Sequence, residues 1–303
     1  MLEQGPILVP LDGSELAESA LPYASALADA LRTHLVLLTV WEGTETELAA
    51  ALPAVSIEIE QSAQAYYTTY LDGIRQRHGH ADQTRTIVRP GDASDEILKA
   101  IDETHARLVV VSTHGRSGIG RWMYGSTSGR VIKHAHVPVL AVGPHVLQRS
   151  NQEVALKHIA VTVDGNELSE QALPVAATIG AALGARISLL RGVNWAVQSY
   201  PYSLPDAYIP QIDDELEKGA KAYLQTQEQA LKGKVDVDAF VLRGAIADGI
   251  LDFVEKQSVD LVVMTTHART GLLRAALGST ADRLIQGKAP VLLVPAEARA
   301  VKA

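Results

Sequence analysis

The second half of this 303-residue chain repeats the first, and that repeat limits the fold more than any other feature. With a shift of 152 or 153 residues, Ile7–Asp12 (ILVPLD) falls on Ile159–Asp164 (IAVTVD), Leu21-Pro22 on Leu173-Pro174, Gly91 on Gly244 and Asp95 on Asp248. Between Leu108–Ile132 and Leu261–Ile285, 13 of 25 positions are identical, Thr113, His114, Arg116, Gly125, Ser126, Thr127 and Arg130 among them. A period this long is several times that of any solenoid repeat, so the chain reads as a duplicated domain. The polar stretch Gln148–Lys157 is the expected boundary, which gives domains at 1–147 and 156–298. Length divided by about 150 gives the same count, and each half is long enough to bury its own core.

Each copy alternates short β-branched runs with helical stretches. The first copy has expected strands at Ile7–Leu11, Leu35–Val40, Thr84–Val88, Leu108–Ser112 and Val139–Val142. The second has them at Ile159–Val163, Arg186–Val193, Val235–Leu242, Leu261–Thr265 and Val291–Val294. Near-continuous apolar runs of this length suit strands buried on both faces. Helices are expected at Leu16–Leu31, Ile57–Arg77, Asp95–Thr104 and Thr127–Ala135. Strand–helix alternation of this kind implies an α/β fold with a doubly wound parallel sheet in each copy. The segments Glu42–Ser56 and Asn194–Ile212 read as loops or short helices, either packed on their own domain or forming a lid or partner contact.

Composition removes several functions. The chain has no cysteine, which excludes disulfides, thiolate catalysis and Cys-ligated zinc. A net charge of −8 argues against a grip on nucleic acid, whose phosphates require a basic surface. A mononucleotide is compatible with that charge, because backbone N–H groups alone can hold phosphate. No run of about 18 apolar residues is present, so no membrane span is expected. The opening MLEQGPILVPLDGS has neither a basic region nor a long apolar one, so the expected compartment is the cytoplasm.

In an open α/β sheet, ligands bind beyond the carboxyl ends of the strands at the topological switch point. Pro10-Leu11-Asp12-Gly13-Ser14 follows the first strand; Ser112-Thr113-His114-Gly115 follows the fourth, and Gly125-Ser126 comes shortly after it. Gly115 permits a tight turn and a close approach of backbone N–H groups to phosphate. Ser126 stands where a helix begins, either as its cap or as a phosphate ligand, with the N–H groups of Thr127 and Ser128 pointing outward. The plainer alternative is a turn glycine and a helix cap with no ligand. Other nucleotide signatures fail: Arg121 stands where a Walker loop needs lysine, and Met123 where a dinucleotide fingerprint needs glycine. No Gly-x-Ser-x-Gly elbow occurs. His134 and His136 read as helix-end surface, and no metal site is expected.

The phosphate segment resembles the pattern of the universal stress protein family: glycine, two residues, glycine, nine residues, then glycine with serine or threonine. The whole chain resembles a tandem member. The resemblance implies five parallel strands in order 3-2-1-4-5 per domain, the adenine nucleotide alpha hydrolase-like fold. It implies that Pro10, Leu11, Asp12 and Val40 surround adenine and ribose. It implies that Val111, Ser112, His114, Gly115, Gly125, Ser126, Thr127 and Ser128 line the ribose and phosphates. The implied ligand is ATP, with or without Mg²⁺, or another adenine nucleotide. The resemblance also implies pairing through the last strand, within one chain or between two in a homodimer. The chain departs from the pattern at Ser112, where the first glycine belongs; in the second copy Thr265 and Ala268 replace both early glycines. A methyl group at 268 is unfavourable where the backbone must approach phosphate, so the second copy is expected to be degenerate. Three functions remain open at this level: a regulatory nucleotide-binding module, a slow ATPase or nucleotidyl-transfer enzyme, and a stress scaffold with a vestigial site. No catalytic residue stands out.

Overall fold

The computed structural model describes residues 5–43, 51–78, 83–113, 125–146, 154–193, 209–266 and 278–296. The chain divides into two compact units, Met1–Val154 and Ala155–Ala303. The first unit runs β1 (Ile7–Pro10), α1 (Glu15–Glu18), α2 (Leu21–Leu31), β2 (Leu35–Trp41), α3 (Pro53–Arg77), β3 (Thr84–Pro90), α4 (Ala93–Thr104), β4 (Leu108–Ser112), α5 (Ser126–His134) and β5 (Val139–Val142). The second runs β6 (His158–Thr162), α6 (Glu167–Glu170), α7 (Ala172–Leu183), β7 (Arg186–Val193), α8 (Ile209–Leu231), β8 (Val237–Arg243), α9 (Ile246–Lys256), β9 (Leu261–Thr266), α10 (Ser279–Ile285) and β10 (Val291–Pro295).

Strand order in the first unit is β3-β2-β1-β4-β5 and in the second β8-β7-β6-β9-β10. Each unit therefore has the expected 3-2-1-4-5 order of the adenine nucleotide alpha hydrolase-like fold. Pairing between the strands of each unit is parallel; Ile7 stands opposite Leu35 on one side and Leu108 on the other. Ile7, Leu8, Val9, Leu35, Leu37, Leu38, Val109 and Val110 are buried. Each such side chain contributes about 1.5–3 kcal/mol by leaving water, and burial of successive residues requires cover on both faces of the sheet. Helix α2 packs on β1, β2 and β4, while α4 packs on β1, β2 and α5.

The helix expected over Leu16–Leu31 is instead two helices, α1 and α2, with Ser19 capping the end of the first. Pro22 accounts for the break: it has no N–H for the Glu18 carbonyl four residues back, and its ring crowds that carbonyl. Helix α3 begins at Pro53, four residues earlier than Ile57, since proline is well suited to a first helical position. Of the two open alternatives, loop or helix, Pro53–Ser56 and Ile209–Ile212 take the helical one. Residues 44–50 and 194–208 of the two ambiguous segments lie outside the described residues. In both units a tyrosine of the long helix bonds a glutamate at the end of the first short helix. Tyr70 Oη donates to Glu18 at 3.0 Å, and Tyr223 Oη donates to Glu170 at 3.0 Å. Burial, reinforced by the adjacent carboxylate charge, pushes both phenols above their ordinary pKa.

At the amino-terminal end of β6 the second unit has a partly buried polar chain centred on His158, where the first unit has Pro6. His158 Nε2 lies 2.8 Å from Ser188 Oγ, which donates to Asp238 Oδ1 at 2.6 Å. His158 Nδ1 lies 3.0 Å from the Gln257 carbonyl and 3.0 Å from Arg186 Nη2. The Asp260 carboxylate accepts from the backbone N–H of Lys157 and of His158. Burial lowers the His158 pKa below its ordinary value; Arg186 lowers it further, while the Gln257 carbonyl and the charges of Asp238 and Asp260 oppose the shift. The ring is thus held neutral in the fold and binds its proton more readily in the unfolded chain. Its contribution to stability is present above the unfolded pKa of about 6.5 and is lost as pH falls from there through the lowered folded-state pKa. Denaturant unfolding between about pH 8 and pH 5 should show a steeper acid loss for the wild type than for His158→Gln. Equal slopes would show that the buried ring titrates as it does in the unfolded chain.

Candidate functional site

The carboxyl ends of β1 and β4 lie side by side, with β2 on the other flank of β1. The chain leaves β1 toward one edge of the sheet and β4 toward the other, which opens a crevice at this switch point. A cavity of about 380 Å³ occupies it, within the range of about 300–1,000 Å³ usual for small-molecule sites. Pro10, Leu11, Asp12, Val40, Val111, Ser112, Gly125, Ser126, Thr127 and Ser128 all line this cavity. These are the sequence-derived site residues that fall among the described residues. His114 and Gly115 lie outside the described residues, as do His267 and Ala268 of the second copy.

The loop after β1 is organised by side-chain hydrogen bonds. Asp12 Oδ1 accepts from the Ser14 N–H at 2.9 Å and from the Ser14 hydroxyl at 2.6 Å. Ser14 Oγ in turn accepts from Ala17 N at 3.1 Å and caps α1. Asp12 therefore aligns the cap and places its carboxylate at the cavity wall. The second unit builds the same turn with Asn166, which caps α6 through Ser169 N at 2.8 Å. There the carboxylate of Asp164 accepts from both the Asn166 N–H and the Asn166 side-chain amide, at 3.1 and 2.7 Å.

The other wall is the junction of β4 with α5. Thr113 is fully buried; its N–H donates to the Val142 carbonyl and its own carbonyl accepts from Gly125 N, each at 3.0 Å. The Ser128 hydroxyl lies 3.3 Å from the Thr113 carbonyl and 3.1 Å from the Gly125 carbonyl and donates between them. The hydroxyl thus fastens the start of α5, while Ser128 remains in the cavity lining. Ser126 is not the cap of α5 either: Gly125 holds that position and makes no side-chain cap bond. Gly125 offers the first-turn N–H groups of α5 no side-chain cap, and those groups carry the positive end of the helix dipole toward the cavity.

Gly125 has φ −52 and ψ 145, a conformation open to any residue. A Cβ there would make only ordinary contacts with described atoms, at 3.5 Å from Ser128 Oγ and 3.8 Å from the Thr113 carbonyl oxygen. Neither backbone strain nor packing among the described residues demands a glycine. A glycine in that place leaves room for something else to approach the backbone.

Sequence reasoning missed Ala17, Leu38, Glu42, Ala93, Ile97 and Val131, which complete the cavity lining. Leu38 was within reach, because side chains two apart on a strand share a face and Val40 was already placed. The contributions of Ala93 and Ile97 depend on how α4 packs, which no local pattern encodes. Arg130 ties α5 to the start of α4: it contacts Asp92 at 3.2 Å and Asp95 at 2.9 Å.

The family model described as Universal stress protein family matches residues 5–143 and again 155–295. A universal stress protein of Methanocaldococcus jannaschii is 32% identical over 148 residues, which is 48% of this chain and 85% of that protein. A universal stress protein of Mycobacterium tuberculosis is 30% identical over 139 residues, which is 46% of this chain and 45% of that protein. The chain thus aligns with less than half of the mycobacterial relative's length. Among solved structures, a universal stress protein of Archaeoglobus fulgidus superposes with a TM-score of 0.70 at 18% identity, over 96% of this chain and 98% of that one. At that identity the likeness is one of fold.

The second unit has Ala281 where the first has Ser128, so the junction tolerates loss of the hydroxyl. Ser128→Ala should fold and lower the unfolding free energy by about 1 kcal/mol, the worth of one buried hydrogen bond. Urea titration measures this, and an unchanged midpoint would show that the Gly125 N–H holds the junction alone.

Proposed function

The chain belongs to the universal stress protein family, and on that premise we propose that its first unit is a regulatory module that binds ATP or a related adenine nucleotide. The observation that carries the proposal is the convergence at the switch point. Residues from three separate segments, selected by motif, meet around one cavity of ligand size. Leu11, Leu38, Val40 and Val111 supply an apolar wall for a base, and Asp12 supplies an acceptor for ribose or exocyclic amine protons. The opposite wall offers the open N-terminus of α5 to phosphate, with Gly125 leaving its backbone accessible. Gly115 and His114 complete the phosphate end by resemblance.

The second unit is the weaker site in this reading, because Ala268 stands where the first has Gly115. Binding then alters the first unit and is read by conformation or by a protein partner. Titration calorimetry with ATP should find one adenine nucleotide bound per chain; two equal sites would overturn the asymmetry. Gly125→Val should fold normally, yet lose about 1.5–3 kcal/mol of ATP affinity, the worth of a hydrogen bond to a charged group. Unchanged affinity in that folded variant would remove the α5 terminus from the site.

A further inference from the structure

The two units differ at the nucleoside end as well as in the phosphate segment. In the first, Val40 on β2 and Ala93 at the start of α4 face the same cavity. Their counterparts are Gly192 on β7 and Ile246 at the start of α9. Valine plus alanine carries as many side-chain carbons as glycine plus isoleucine, so the exchange moves the bulk from the strand to the helix. A Cβ built on Gly192 would lie 2.7 Å from Ile246 Cγ1, 2.9 Å from Cγ2 and 3.1 Å from Cδ1. Gly192 is absent from the positive-φ glycines, so backbone conformation does not require it. Ile246 requires it: the isoleucine lies directly against the bare β7 backbone, where a side chain at 192 would stand.

Two neighbouring changes act in the same direction. Met264 replaces Val111 at the end of the fourth strand and is buried. The Asn166 side-chain amide donates to Asp164 at the place where the first unit has the shorter Ser14 hydroxyl. We propose that Ile246, seated on Gly192, closes the nucleoside end of the second unit and is the residue that excludes adenine nucleotides from it. The inference rests on the reading that the first-unit cavity takes a nucleotide. It differs from the effect of Ala268, which acts on phosphate alone.

The test transplants the pair. In the full chain, Ala93→Ile alone should overpack against Val40 and lower the Tm by several degrees. The double variant Val40→Gly/Ala93→Ile should recover most of that Tm and still lose roughly 100-fold or more of its ATP affinity, since bulk placed in a fitted pocket is strongly discriminated against. Wild-type affinity in the folded double variant would overturn the proposal. An independent arm uses the second unit: Gly192→Val should lower the Tm, and adding Ile246→Ala should restore it. No loss from Gly192→Val would show that Ile246 does not occupy the strand face, and would overturn the proposal without reference to nucleotide. If the wild-type chain fails to bind ATP while the Gly192–Ile246 coupling holds, the functional reading has failed and the exclusion role falls with it; the packing result stands.

Discussion

One buried carbonyl organises the candidate site. The Thr113 oxygen accepts from Gly125 N and, with the Gly125 carbonyl, from the Ser128 hydroxyl, so the chain returns to the end of β4 at a fixed point. Burial makes the arrangement demanding, because an unsatisfied carbonyl at this depth costs about 1–3 kcal/mol. The same bonds orient α5 with its amino terminus toward the crevice. Whatever binds there meets a helix end already positioned, so no ordering of that helix opposes association. The wall facing it is equally fixed, since Leu11 N donates to Leu38 O at 2.8 Å and ties the β1 exit to β2.

A duplicated chain separates scaffold from site by internal comparison. The tyrosine–glutamate bonds recur at Tyr70–Glu18 and Tyr223–Glu170. The arginine tie recurs at Arg130–Asp95 and Arg283–Asp248. The capped turn recurs with Ser14 and with Asn166. Each of these holds helices to one another or to the sheet, and each survives in both units with changed surroundings. What differs is the lining of the crevice: Ala93 against Ile246, Val40 against Gly192 and Val111 against Met264. The tyrosine–glutamate bonds are partly buried, so losing one partner leaves the other poorly satisfied, while the arginine ties lie exposed. Lining residues are under no such restraint, and they change together so that volume is conserved while its placement is not.

Much of the fold is legible in the residues because the strands are buried on both faces and announce themselves as short β-branched runs. Strand order followed from resemblance, and helix ends followed less well. The break between α1 and α2 was signalled by Pro22, yet the apolar period runs through it unbroken, and periodicity outweighed the proline. Of the site, motif residues on strand ends and helix starts were legible because glycine and serine there have few other uses. The backbone-fastening bond of the Ser128 hydroxyl was not legible, because a serine beside a phosphate motif and a serine holding a backbone look alike in sequence. Ala93 and Ile97 were invisible: their presence in the lining depends on the seating of α4, which its packing on β1, β2 and α5 sets.

Asp12 shows why a structural role and a ligand role need not compete. Its Oδ1 accepts from Ser14 while the residue remains in the cavity wall. A carboxylate held by local hydrogen bonds has little rotamer freedom left, so a further bond to a ligand orders nothing new. In the second unit the corresponding carboxylate is held by a longer residue, Asn166, whose amide reaches the Asp164 Oδ2 oxygen. One atom-level substitution at the cap thus changes what the same aspartate presents to the crevice. Helix capping, commonly a matter of about 1 kcal/mol of stability, here also sets which carboxylate oxygen the cap residue engages.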